Sequence, residues 1–263
     1  MGIVHESVGT SGWKENNDPS QVIITKPTGL AVGELMIAQI GQTQDSGTSI
    51  LNPDGKFTAP AGWTELEDVS TGVAATSTRM QAFYKVADSS DVAASNFTFS
   101  NGMDALVNVD YSMVGYIHRI SGGLASGIQS NSGTAAGDLT ETFSVSLTPI
   151  VKNSMLLHMT MSSGNFASGS VNSVSVATDN PSWTEEIDSF NLFQGSGDGL
   201  ISAHSAIRPE TTATGNSTVN FSAFNERHTA IMICIAPAPS VESTATKSYG
   251  VADFNKPTGL EEG

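Results

Sequence analysis

The sequence predicts an all-β fold, an antiparallel β-sandwich or jelly roll made of two similar halves, and three observations carry the prediction. Short stretches alternate apolar and polar residues. No stretch holds a 3.6-residue apolar stripe for three turns. Landmarks of the first part of the chain return about 120 residues later. Period two puts apolar side chains on one face of a strand, and many short strands joined by Gly- and Asn-rich turns form sandwiches and jelly rolls.

Strands are predicted over residues 22–25, 35–40, 96–100, 142–147, 171–177 and 218–221, each bounded by turn-forming residues. Residues 79–86 alternate, with Met80, Ala82, Tyr84 and Val86 on one face and Arg79, Gln81 and Lys85 on a wet one. Residues 113–120 and 231–235 are apolar almost throughout, as in central strands covered on both faces.

The repeat rests on ordered matches. Pro60-Ala61-Gly62-Trp63-Thr64-Glu65 returns as Asn180-Pro181-Ser182-Trp183-Thr184-Glu185, with the tryptophans 120 residues apart. Leu35-Met36-Ile37 faces Met155-Leu156-Leu157, and Ala82-Phe83-Tyr84 faces Ser202-Ala203-His204, both at the same offset of 120. Residues 96–100 face 218–222, and Ile117 faces Ile233 at an offset of 116. The halves are read as about 21–122 and 142–236 of one duplicated sandwich, 21–236, with the Gly-, Ser- and Ala-rich residues 121–138 joining them. One domain is preferred to two small sandwiches, because each half shows only about five or six strands.

Residues 1–20 read as an N-terminal leader or docking segment. Residues 237–263 read as a linker and the start of a further, truncated repeat. Ala236-Pro237-Ala238-Pro239 cannot extend a strand, Ser243-Thr244-Ala245-Thr246 is a polar tether, and Lys256-Pro257-Thr258-Gly259-Leu260 repeats Lys26-Pro27-Thr28-Gly29-Leu30.

Composition excludes some functions. Eleven basic residues against 26 acidic ones give a net charge of −15, with no basic cluster to hold a phosphate backbone, so nucleic-acid binding is not expected. The N-terminus lacks the basic start and apolar stretch of a signal peptide. No apolar run approaches the roughly 18 residues of a membrane span. Cys234, the only cysteine, sits in an apolar run and reads as a small buried residue.

Catalytic motifs such as a Gly-x-Ser-x-Gly elbow, His-Glu-x-x-His or a phosphate-binding Gly-x-x-x-x-Gly-Lys are absent from the sequence. His5, His118, His158, His204 and His228 are scattered singly and read as hydrogen-bonded or edge histidines. Glu65, Glu67 and Asp68, with Glu185, Glu186 and Asp188, follow the two tryptophans. Paired carboxylates would suit a glycosidase, but duplication in equivalent places favours a solvated strand face. No cofactor is implied. Asn52-Pro53-Asp54-Gly55 and Gly195-Ser196-Gly197-Asp198-Gly199 offer oxygen ligands for calcium without the full spacing of a calcium loop. Trp63 and Trp183 are landmarks of the repeat, read as packing residues rather than a paired sugar platform. Trp13 is a candidate anchor for docking to a neighbouring subunit.

Three segments carry a resemblance: residues 24–38, with Pro27, Gly29 and Gly33; Pro60-Ala61-Gly62-Trp63-Thr64-Glu65-Leu66; and Phe83-Tyr84-Lys85-Val86-Ala87. Together they resemble a jelly-roll-like domain of bacteriophage and prophage virion proteins of the tail-fibre, adhesin and capsid-surface kinds. Glu34 stands where that pattern has Asp, and His118-Arg119-Ile120-Ser121-Gly122 replaces a Tyr-Ser-Gly-like end. The resemblance covers residues 21–122 well and 142–236 weakly. It implies a non-enzymatic structural protein on the virion surface, as capsid decoration, head fibre or tail fibre, with other virion proteins as partners. Such modules form homo-oligomers. The alternatives are a carbohydrate-binding adhesin that meets a host surface glycan and, more remotely, a polysaccharide depolymerase.

Overall fold

The structure is a computed structural model, and it describes residues 2–15, 21–44, 56–71, 77–101, 111–135, 140–164, 169–191, 198–222 and 227–239. The chain is all-β and antiparallel. Its first part contains β1 (Val4–Thr10), β2 (Lys14–Glu15), β3 (Gln21–Thr25), β4 (Leu35–Gln44), β5 (Phe57–Thr58), β6 (Thr64–Ser70), β7 (Ser77–Val86), the short helix α1 (Ser89–Ala93), β8 (Asn96–Asn101) and β9 (Tyr111–Ser121). Its second part contains β10 (Gly123–Ala135), β11 (Thr140–Phe143), β12 (Ser154–Gly164), β13 (Val171–Val176), β14 (Thr184–Asn191), β15 (Asp198–Arg208), β16 (Ser217–Phe221) and β17 (Arg227–Pro237).

Strand order repeats between the two parts. One large sheet runs β1-β9-β4-β7-β6, with β2 also on β9, and the other runs β10-β17-β12-β15-β14. The small sheets run β3-β8-β5 and β11-β16-β13. Leaving out β2, each part therefore has eight strands in the same order. Each part supplies two sheets rather than one, and its strands alternate between them as in a jelly roll.

Three apolar cores separate four layers. Val22, Ile24, Phe97 and Phe99 of the first small sheet pack against Met36, Ala38, Phe83 and Ile117 of its large sheet. Phe143, Val174, Val219 and Phe221 of the second small sheet pack against Leu156, Leu200, Met232 and Cys234. The central core joins the two large sheets through Leu35, Ile37, Met80, Val114 and Ile120 on one side and Met155, Leu157, Met159, Ile201, Ile231 and Ile233 on the other. Each such fully buried side chain contributes roughly 1.5–3 kcal/mol. Both large sheets are thus covered on both faces, which is why β9 and β17 read as continuous apolar runs. Strands of the small sheets alternate instead: Val22 and Ile24 are buried while Ile23 and Thr25 are exposed.

The structure differs from the sequence reading in four main places, besides the end of β17, where Pro237 pairs with Gly123 although the Ala-Pro stretch reads as unable to extend a strand. Residues 4–10 of the predicted leader form the edge strand β1, paired antiparallel with β9. The small-residue stretch predicted to join the halves contains β10, the edge strand of the second large sheet, paired with β17 at Gly123 and from Ile128 to Ala135. Edge pairing uses backbone groups and asks little of side chains, so a Gly- and Ser-rich composition hid it.

Third, the polar face of β7 is not wet. Gln81 is fully buried and accepts from the Phe57 amide at 2.6 Å, and Arg79 grips Asp68 through two bonds of 2.8 and 2.6 Å. Fourth, two repeat offsets slip by one residue. Leu35 pairs with Val86 and Ile120, while Met155 pairs with Ile207 and Ile235. The offset is therefore 121 for β7 against β15 and 115 for β9 against β17. Only these values keep core residues on matching faces, because a one-residue shift turns every side chain over.

The landmarks Pro27 and Gly29 belong to the turn into β4. Gly29 and Gly33 both have positive φ, 73° and 89°. A Cβ on Gly29 would lie 2.8 Å from the Arg119 guanidinium, so the turn needs glycine there. Arg119 bonds Thr28 O at 3.1 Å and both Glu34 carboxylate oxygens at 2.6 and 2.8 Å. Tyr84 is partly buried against the central core.

Candidate functional site

The two tryptophan turns open corresponding edge strands, β6 and β14, and they are built differently. In the first, the Trp63 amide donates to Pro60 O at 3.4 Å and Gly62 takes a φ of 85°. The indole stands edge-on to Phe97 and Phe99, at 5.7 and 5.3 Å, and Phe83 lies 5.5 Å from Phe99. Aromatic rings thus fill the space beside Trp63.

In the second, Ser182 replaces the glycine and Asp179 carries the positive φ, 46°. The Trp183 Nε1–H donates to Asn180 Oδ1 at 3.1 Å, and the ring stands edge-on to His158 at 6.2 Å. Ladder register identifies the replaced residues. Ala38 pairs with Phe83 across β4 and β7, and His158 pairs with His204 at the matching rung of β12 and β15. His204 therefore stands where Phe83 does. A surface groove of about 320 Å³ opens beside Trp183, lined by Asn172, Ser173, Asn180, Glu185 and His204 among others.

His204 is 4 % exposed, and its Nδ1 has no hydrogen-bond partner. The Nδ1 of His158, fully buried beside it, has none either. Burial lowers the pKa of both, that of His158 to about 3, so both imidazoles are neutral at pH 7.

A larger groove, about 920 Å³, adjoins the first at Asn180 and Pro181 and is lined by Ile3, His5, Met155, Glu186, Ser205 and Ile207 among others. A polar row spans it. The Ser205 hydroxyl donates to Glu186 at 2.5 Å, Glu186 meets His5 Nδ1 at 2.9 Å, and His5 Nε2 meets His118 Nδ1 at 3.0 Å. Burial holds His118 well below the usual histidine range. Ser205 meets a carboxylate rather than an imidazole, so the row lacks the contact that activates a nucleophile. It ties β1 to the second large sheet.

Ser162, His228 and Glu141 come nearer to a hydroxyl–imidazole–carboxylate series, at 2.8 and 3.9 Å. Ser162 and His228 are fully buried, and neither groove is lined by them. Burial lowers His228 to about 4, and Phe221 stacks on its ring at 4.5 Å.

The acidic residues after the tryptophans part company. Glu65 pairs with Lys56 at 2.7 Å, Glu67 accepts from Ser130 and Ser132 at 2.8 and 2.9 Å, and Asp68 holds Arg79. In the second half Glu185 lines the small groove, Glu186 joins the polar row, and Asp188 accepts from the Val171 amide at 3.2 Å. Burial, reinforced by the charge of Glu185, raises Asp188 to about 6. Among the described residues no group of three or more His, Cys, Asp or Glu is arranged to hold a metal. Of the two loops considered for calcium, 52–55 and residues 195–197 lie outside the described residues, as does the repeat starting at Lys256.

Trp13 lies within the chain. Its Nε1–H donates to Ser189 Oγ at 3.1 Å, and its ring covers Gly199, where a Cβ would come within 2.6 Å of it. This anchor joins the N-terminal segment to the second half. Comparison with protein-family models, with curated proteins and with solved structures finds no match.

The sequence reading did not anticipate the His158–His204 pair or the His5–Glu186 contact. His5 and Glu186 lie on different halves, and no local pattern links them. The His204-for-Phe83 exchange is visible in sequence once the offset is set to 121, and the offset of 120 concealed it.

Proposed function

We propose that this chain is a non-enzymatic structural module displayed on the surface of a bacteriophage virion, as capsid decoration, head fibre or tail fibre, where it meets other virion proteins. The observation that carries the reading is the doubled jelly-roll order, with two eight-strand units joined through their large sheets by one continuous apolar core. Jelly rolls are a recurrent architecture of viral shells, and the residue resemblance around Pro27, Gly29, Trp63 and Tyr84 points the same way. Function follows from sites rather than folds. The residue resemblance therefore stands beside the strand order as support for this reading. A net charge of −15 suits modules held at high local concentration, which repel one another in solution. The test is electron microscopy of the particle: density for the twin sandwich on the outer surface supports the proposal, and a particle without the chain refutes it.

A further inference from the structure

We propose that the groove beside Trp183 is a binding site for a neutral sugar ring, and that it exists in the second half alone. The inference goes beyond a structural role and needs only the second sandwich.

The argument starts from the difference between two equivalent places. Beside Trp63 the rung under the indole carries Ala38 and Phe83, and Phe97 and Phe99 close the space. Beside Trp183 the same rung carries His158 and His204. A pure packing role would favour apolar residues in both. Here two histidines occupy a core rung, each with an imidazole nitrogen that lacks a partner. Leaving such atoms buried and unpaired is unfavourable, and this rung borders the groove through His204, whose imidazole edge a ligand hydroxyl entering it would meet.

The lining selects the ligand. A hydroxyl both donates and accepts, so it suits a neutral imidazole in either tautomer. Asn172, Ser173 and Asn180 add uncharged polar groups, and the partly exposed indole of Trp183 offers an apolar edge for a ring's C–H face. Glu185 accepts hydroxyl protons and repels carboxylated or sulfated sugars, as does the charge of the whole chain. About 320 Å³ is at the small end of the roughly 300–1,000 Å³ range of ligand sites, which fits one ring of a chain rather than a long oligosaccharide.

The experiment is a screen of the full chain against immobilised neutral hexose and N-acetylhexosamine oligosaccharides, with sialylated and sulfated ones alongside. Hits are followed by titration calorimetry, with the free monosaccharides as competitors. The expected result is binding of neutral glycans only, weakened by about tenfold or more (about 1.4 kcal/mol) in Trp183→Ala. The same loss is expected in His204→Phe, which restores the aromatic residue of the first half. Trp63→Phe should bind like the parent. Asn172→Ala, on the exposed rim, weakens binding without touching the core and covers the case in which His204→Phe does not fold. Competition by free monosaccharide identifies a one-ring site; competition by oligosaccharide alone overturns it. Lack of any neutral ligand, preference for anionic glycans, or binding indifferent to Trp183, His204 and Asn172 also overturns the proposal. None of these outcomes bears on where the chain sits in a particle.

Discussion

Acid should destabilise this protein well before its carboxylates are neutralised. His118, His158 and His228 are fully buried and His204 nearly so. Burial lowers the pKa of each, to about 3 for His158 and about 4 for His228. A histidine whose folded pKa lies below its unfolded value of 6.5 binds more protons when unfolded. Its stabilising contribution is therefore complete above pH 6.5 and drains away as pH falls toward the folded pKa.

Between pH 7 and 4.5 the loss is about 3 kcal/mol for His158 and slightly less for His228, or ~5 kcal/mol together, at about 1.4 kcal/mol per unit. Asp188 acts in the opposite sense. Its pKa is raised to about 6, so it gains stability as pH falls below that value. Because it is only half buried, solvent screening holds the gain to about 1 kcal/mol. Glu34, held below its usual range by the hydrogen bond from Arg119, adds to the loss only at still lower pH.

The ~4 kcal/mol left by these three groups, to which His118 and His204 add in the same sense, is a large share of the roughly 5–15 kcal/mol that holds a domain together. Urea unfolding followed by tryptophan fluorescence at pH 7.0 and 4.5 measures it directly. The double substitution His158→Asn, His228→Gln should shrink the difference, leaving the share of His118 and His204. A loss under about 1 kcal/mol in the parent, or an undiminished one in the variant, refutes the reasoning.

Three further outcomes are expected. In Gly41→Val the new Cβ would meet Met161 Sδ at 2.6 Å and Ile201 Cδ1 at 3.0 Å, wedging the two large sheets apart. A cost of about 1–3 kcal/mol should appear as a lowered Tm in calorimetry. Trp63→Ala empties an aromatic cluster and should cost about 3–5 kcal/mol, whereas Trp183→Ala, beside an open groove, should cost about half as much by denaturant titration. Trp13→Ala removes the bond to Ser189 and uncovers Gly199. Chemical denaturation should show a loss of about 2 kcal/mol, with faster hydrogen exchange in β14 and β15.

The all-β class was legible because its signals are local: alternation in β3 and β8, continuous apolar runs in β9 and β17, and glycines in turns. The Trp63–Trp183 spacing was legible because both residues precede edge strands that begin the same way. Three features were hidden for physical reasons. β1 and β10 are edge strands held by backbone bonds, so their sequences carry little apolar pattern. The buried polar face of β7 depends on partners from other strands, Asp68 for Arg79 and the Phe57 backbone for Gln81. The candidate site depends on a cross-strand pair, His158 and His204, which only the ladder register brings together. Its contrast with Ala38 and Phe83 was masked by a one-residue error in the offset.

The central claim is that this twin sandwich is displayed on a virion surface, and electron microscopy of purified particles tests it most directly. The account predicts density for two back-to-back jelly rolls on the outside of the head or along the tail, absent from particles made without the gene segment for this chain. Particles whose outer surface shows no density for the chain, or density for it only inside the shell, would contradict the account.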